Sequence, residues 1–101
     1  MIEHMVLFQF GEETTRAQKD EVLRQLRELR EHVAGIVDLQ ANYNFSNRSQ
    51  GYEMGLTVRF ASKTDLEAYG PHPRHQAAVA YMKEVGLVNL LVVDFEIEDL
   101  Q

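Results

Sequence analysis

Near the start of the chain, Ile2, Val6, Phe8 and Phe10, with His4 among them, share one side of an extended segment. Met5 and Leu7 share the other. The alternation predicts a strand over residues 2–10, and two largely apolar sides require cover on both. The period then changes. Val22, Leu26, Leu29 and Val33 recur at helical spacing, widened by Leu23, in a stretch that is otherwise charged. Thr15 and Gln18 have the spacing of a capping box that opens this helix, and Gly35 is a natural stop. On its wet side Asp20 and Arg24, and Arg27 and Glu31, stand four apart and are expected to pair.

A second strand is expected over residues 36–46, followed by the polar turn "NRSQG". Tyr52, Met54, Leu56, Val58 and Phe60 alternate with Glu53, Gly55, Thr57 and Arg59 in a third strand. Ser62 caps a short helix over "KTDLEAY", with Asp65 in its first turn. Gly70-Pro71 interrupts it, and Pro73 suits the first turn of a second helical piece over 73–85, which Gly86 ends. A last strand is expected from Leu90 to Ile97. Strand, helix, strand, strand, helix, strand is the α+β, ferredoxin-like β-α-β-β-α-β order. Right-handed crossovers put the helices on one face of an antiparallel sheet. The other face, with Met5, Leu7 and part of the last strand, is too apolar to leave in water. The physical remedy is a second copy, so a homodimeric α/β barrel is expected, with two sheets packed face to face.

Length and composition narrow the function. At 101 residues the chain is read as a single domain, 1–101, with 45% hydrophobic residues and no internal repeat or linker. No apolar run is long enough for a membrane span. "MIEHMVLFQF" carries Glu3 and His4 where a secretory signal has Lys or Arg, so it reads as a strand, not a targeting peptide. The absence of cysteine excludes disulfides, thiolate nucleophiles and sulfur-bound metals, and fits the cytoplasm. A net charge of −6 repels phosphate backbones, and most basic residues, over Arg16–Arg30, are interleaved with acids. Neither inner strand has the aromatic and basic pattern that stacks bases, so no nucleic-acid partner is expected.

The chemistry-bearing stretch is "AYGPHPRHQ", where His72 and His75 flank Pro73 after Tyr69. Several readings of these residues stand side by side. His72 suits a helix start, where its ring satisfies backbone donors. His75 suits a ligand contact or a satisfied core or interface histidine. Tyr69 suits a core aromatic with a paired hydroxyl. His4 on an apolar strand face reads first as structural. A metal held by His72, His75 and His4 is disfavoured, because there is no HExxH, no cysteine and no carboxylate obviously placed behind the histidines. His32, near a helix end, needs no function.

"HMVLFQF", "GYEMGLTVRFAS", "DLEAYGPHPRHQ" and "VVDFE" resemble, in the same order, the stress-responsive dimeric α/β-barrel (Dabb) family over nearly the whole chain. The most specific piece is Asp65-Leu66 followed by Tyr69, His72-Pro73 and His75. The resemblance implies a ferredoxin-like protomer, a homodimer and a small apolar cavity. The family includes plant stress proteins and a plant polyketide cyclase that closes a poly-β-keto thioester by an aldol step without metal or cofactor. In the cyclase-type member a Tyr and a His matching Tyr69 and His75 carry the chemistry, and His4 and His72 also match. This chain departs from it at Met54, where the cyclase has a histidine, and at Val22 and Leu23, where it has aromatics; its substrate is therefore not carried over.

Aldol chemistry needs a base for an acidic α-proton and a donor for the developing oxyanion. A neutral imidazole is a good base near pH 7, and a phenol with an ordinary pKa of about 10 stays a donor there. The expected roles are His75 as base and Tyr69 as donor, with His4, Val6, Phe8, Val22, Leu26 and His72 lining or supporting the cavity. No metal or cofactor is called for. Two alternatives remain open: a non-catalytic binding protein for a small apolar ligand, and a purely structural barrel. A cavity filled by Phe8, Leu26 and Tyr81 would favour the last.

Overall fold

The computed structural model describes residues 1–98. Its elements are β1 (Ile2–Phe10), α1 (Arg16–His32), β2 (Ile36–Tyr43), β3 (Met54–Phe60), α2 (Lys63–Tyr69), α3 (Pro73–Val85) and β4 (Leu87–Glu96). The four strands form one antiparallel sheet in the order β2-β3-β1-β4. This is the ferredoxin-like fold. None of its helices is long and apolar enough to cross a membrane, among the described residues.

Local chemistry explains the helix ends. The Thr15 hydroxyl accepts from the Gln18 N–H at 3.1 Å, and the Gln18 side chain accepts from the Thr15 N–H at 2.9 Å. Ser62 caps α2 by accepting from the Asp65 N–H. Pro73 occupies the first turn of α3, where its missing N–H costs nothing. The expected ion pairs on α1 form in another register. Arg24 forks between Glu21 and Glu28, both at 2.7 Å. Asp20 instead accepts from the Tyr43 hydroxyl at 2.5 Å and from Arg16, whose guanidinium lies 3.9 Å from the Tyr43 ring centroid. Arg27 donates to the Ala41 carbonyl rather than pairing with Glu31. Tertiary partners on β2 thus displace pairs expected from helix spacing alone.

Strand ends shift for similar reasons. β2 stops at Tyr43, short of residue 46, because the Asn44 side chain bends the chain: it donates to Tyr52 O and accepts from the Ser46 N–H. β3 begins at Met54 because Tyr52 belongs to the turn, its N–H donating to Ser49 O. β4 starts at Leu87, straight after the α3 cap, and ends at Glu96.

The core lies between the helices and one sheet face. Ile2, Val6, Phe8 and Phe10 of β1 are buried there with Met54, Leu56, Val58 and Phe60 of β3 and with Val22, Leu23, Leu26 and Leu29 of α1. On the opposite face, Met5 and Leu7 of β1 stand beside Val93 and Leu91 of β4. Leu91, Val93 and Phe95 are each close to half exposed there. Next to this apolar ridge, Gly55 and Thr57 of β3 leave a trough of about 450 Å³, floored also by Met5 and Leu7 and edged by Gln40 and Asn42.

One knot starts β4. Gly86 ends α3 in the left-handed region, φ +118°, with its N–H donating to Met82 O. Its carbonyl accepts from the Gly11 N–H at 2.9 Å, and the buried Thr14 hydroxyl donates to Val85 O at 2.6 Å. A Cβ on residue 86 would meet the Thr14 hydroxyl at 2.5 Å. Gly86→Ala is therefore expected to cost about 1–2 kcal/mol from backbone strain alone, read as a lower urea midpoint with an unchanged m-value.

Candidate functional site

The helix layer is narrower than the sheet. β1 and β3 are buried beneath it, but β4 is not. Leu90 and Val92 pair with Phe8 and Val6 and so lie on the helix side, yet they remain 51% and 45% exposed. The gap between α3 and β4 is a cavity of about 380 Å³. His4, Val6, Phe8 and Leu56 form its sheet wall, and Leu26, Leu66, Val79 and Met82 its helix wall. Leu87, Leu90 and Val92 close the β4 side, and Tyr69, Gly70 and His75 stand where α2 gives way to α3. The volume is in the range of small-ligand sites. Tyr81 is not among the lining residues, so the cavity is not filled by Phe8, Leu26 and Tyr81.

The break between α2 and α3 brings Tyr69 and His75 together. His72 N–H donates to Tyr69 O at 3.1 Å, which folds the chain back so that the two rings lie 4.3 Å apart, centroid to centroid, at 45°. The Tyr69 ring also meets Phe60 at 5.1 Å and His4 at 5.8 Å. Tyr69 is 2% exposed, and its hydroxyl has no hydrogen-bond partner among the described residues. Buried hydroxyls are normally paired, so this one stands out. Burial pushes its pKa above the usual phenol value, so it stays a protonated donor at neutral pH.

His75 Nδ1 lies 2.9 Å from Gly70 O. A carbonyl only accepts, so Nδ1 carries the proton and Nε2 holds the lone pair. Burial is the main cause that lowers the His75 pKa below its ordinary 6.5; the Gly70 bond opposes it, and His4 and His72 add a smaller push in the same downward direction. The ring is thus a neutral imidazole at pH 7 with one nitrogen free.

His4 Nδ1–H donates to the carboxylate of Asp94, its cross-strand partner on β4. Asp94 was not among the residues expected from the sequence. The one signal for it is an acid following Leu90 and Val92 on one side of a largely apolar strand, and its partner is visible only once β1 and β4 are in register. The absence of a carboxylate behind the histidines, expected from the sequence, therefore does not hold for His4.

The other sequence candidates divide. Val6, Phe8 and Leu26 line the cavity. Val22 does not; it sits one turn nearer the start of α1 and is packed in the core, 1% exposed. His72 does not line it either. It caps α3, its Nδ1 accepting from the Arg74 N–H at 3.1 Å. Met54, where the cyclase-type relative has a histidine, is fully buried in the core and does not line the cavity. Of the α3 wall the sequence pointed to His75 but not to Val79 and Met82, although the three fall at helical spacing on one face.

The model of the stress responsive A/B barrel domain matches residues 2–97. An uncharacterised protein of Streptomyces coelicolor is 29% identical over 99 residues, spanning 95% of this chain and 99% of that protein. A dimeric ferredoxin-like protein of unknown function from Jannaschia sp. CCS1 superposes with a TM-score of 0.80 at 27% identity, over 95% of this chain and 98% of that one. A hydroxynitrile lyase from Passiflora edulis superposes with a TM-score of 0.85 over 99% of this chain and 95% of that one, but at 12% identity the likeness is one of fold. The family match runs from the first strand to the end of the last one, and the chain belongs to the stress responsive A/B barrel domain family.

Proposed function

We propose that the cavity binds a small, largely apolar carbonyl compound and performs cofactor-free acid–base chemistry on it, as a lyase or cyclase making or breaking a carbon–carbon bond beside the carbonyl. The observation that carries this reading is the buried, unpartnered Tyr69 hydroxyl beside His75. His75 Nε2 takes the acidic proton, and Tyr69 donates to the oxygen on which negative charge develops. Apolar walls strengthen both interactions by excluding water. Asp94 holds the His4 ring in orientation against Tyr69. The fold shared with a hydroxynitrile lyase is compatible with such chemistry and does not identify the substrate. Binding without turnover is the second reading. It rests on the tether of His75 to Gly70 and on the absence of a hydrogen bond between Tyr69 and His75.

We also propose that the working form is a homodimer with the two sheets face to face. Half-exposed Leu91, Val93 and Phe95 form a ridge, and Gly55 and Thr57 a trough on the same face. A two-fold axis can set the ridge of each copy into the trough of the other. The Jannaschia relative is dimeric, which supports a dimer without specifying its interface.

Removing the Tyr69 hydroxyl separates function from stability. Tyr69→Phe should leave the ligand-free protein as stable or more stable by about 1 kcal/mol, because a buried unpaired polar group is relieved. The same substitution should abolish turnover of β-ketone or cyanohydrin probes. A screen of small carbonyl compounds by thermal shift, followed by assays of each hit, provides the test. Unchanged turnover in a Tyr69→Phe, His75→Ala double variant would remove the proposed roles.

The pH dependence has a definite sign. The unfolded chain protonates His75 near pH 6.5 and the folded chain only lower. Between these values the unfolded state holds more protons, so stability falls as pH drops below about 6.5. Tm should fall less steeply between pH 7 and pH 5 in His75→Gln than in the wild type. The acidic limb of any turnover profile should lie below about 6.5, since the base works only when neutral.

For the assembly, light scattering should give twice 11.7 kDa for the wild type. Val93→Glu, which places a charge on the ridge, should give a single chain.

A further inference from the structure

The cavity wall carries one formally charged side chain, and it is a cation. Lys83 borders the cavity in the last turn of α3, on the same face as His75, Val79 and Met82. No aspartate or glutamate is among the lining residues, although the chain as a whole has a net charge of −6. Six of the nine other lysines and arginines are engaged: Arg16 with Asp20, Lys19 with Glu53, Arg24 with Glu21 and Glu28, Arg27 with the Ala41 carbonyl, Arg30 with Asp38, and Arg59 with Glu3. Lys83 has no carboxylate within ion-pair distance among the described residues. An acidic protein thus presents an apolar cavity with a single unpaired positive charge on its wall.

We propose that Lys83 selects the ligand: the cavity takes a molecule whose reacting carbonyl meets Tyr69 and His75 and whose far end is a carboxylate held by Lys83. This rests on the reading of the cavity given above and adds the substrate class, an apolar oxo acid. The α3 backbone sets the length. Lys83 is eight residues beyond His75, which at about 1.5 Å of rise per residue separates the two by about 12 Å. Between them Val79 and Met82 offer only apolar contact. A ligand polar at both ends and apolar between, and about as long as that helix segment, satisfies every group on this wall. A lysine in a last turn also favours the helix dipole with no ligand at all. That structural role predicts no discrimination between an acid and its neutral amide.

The pair decanoate and decanamide separates the two cases, because the molecules differ chiefly in charge at one end. Binding is measured by calorimetry on the full chain at pH 7.5, with the His75 imidazole resonance as a report of cavity occupancy. The wild type is expected to prefer decanoate by about fivefold at low salt, the size of a partly exposed ion pair. The preference should shrink as ionic strength rises. Lys83→Met should remove it and leave decanamide affinity unchanged, while Lys83→Arg should keep it. Equal affinity of the wild type for the two compounds, or a preference that survives Lys83→Met, overturns the role of Lys83. In either case a His75 resonance that moves with decanamide leaves the cavity reading standing. If neither compound binds or moves that resonance, both the selection by Lys83 and the apolar-ligand cavity are overturned.

Discussion

Strand β4 pairs with β1 along most of its length, and no helix covers it. The fold depends on this mismatch between a four-stranded sheet and a narrower helix layer. Backbone hydrogen bonds hold β4 in place, so it does not need a side-chain core of its own. Both of its faces are left half exposed. On the helix side the uncovered strip becomes the cavity. On the other side it becomes the apolar ridge. Apolar surface of this extent on a single strand is costly in water at roughly 25 cal/mol per Å², so covering either face would be favourable, as the proposed ligand and the proposed second copy would do. One is suited to a ligand, the other to a second sheet.

The candidate site is built from groups that the fold leaves unsatisfied or restrains. The Tyr69 hydroxyl is kept from water and has no hydrogen-bond partner among the described residues, which lowers stability. His75 is held by one nitrogen so that the other is presented as a lone pair. His4 is likewise oriented through one nitrogen, by Asp94. Fixing each imidazole through one nitrogen removes the entropy of orienting it when a ligand arrives. The three rings contact in series, His4 to Tyr69 to His75, across β1, α2 and α3. A small change in the position of α3 relative to β1 would therefore be felt by all three.

The sequence was legible where the determinants are local. Thr15 and Gln18 announce α1, Pro73 and Gly86 bracket α3, and alternation marks β1 and β3 with small errors at the ends. Tyr69 and His75 were also legible as a pair, through the family motif and because they lie six residues apart across the interruption between α2 and α3. What failed to show depends on distant partners. Asp94 meets His4 only through a pairing 90 residues apart. Asp20 is taken by Tyr43, and Arg27 by the Ala41 carbonyl, so the expected i,i+4 pairs lose to β2. Val22 was expected in the cavity through its match to a cavity-lining aromatic of the cyclase-type relative, and that match cannot say how far along α1 this chain's cavity extends. Val79 and Met82 of the α3 wall were missed because Ala77, Ala78 and Ala80 blur its amphipathic pattern, and only the place of α3 across the cavity from β4 reveals which side faces inward.

The thinness of β4 links the two faces. Val92 lines the cavity, and the next residue, Val93, stands on the opposite ridge. Asp94 then returns to the cavity side, where it holds His4, with Phe95 outward again. In the proposed dimer the outward residues would be clamped by the partner's trough, and the inward ones would be clamped with them, because a strand's alternate side chains share one backbone. β4 is an edge strand in the single chain, and edge strands with exposed faces open more readily than buried ones. Assembly would then rigidify the cavity wall and the His4–Asp94 pair without contributing a single atom to the cavity, so that the order of the site depends on the covering of the ridge behind it.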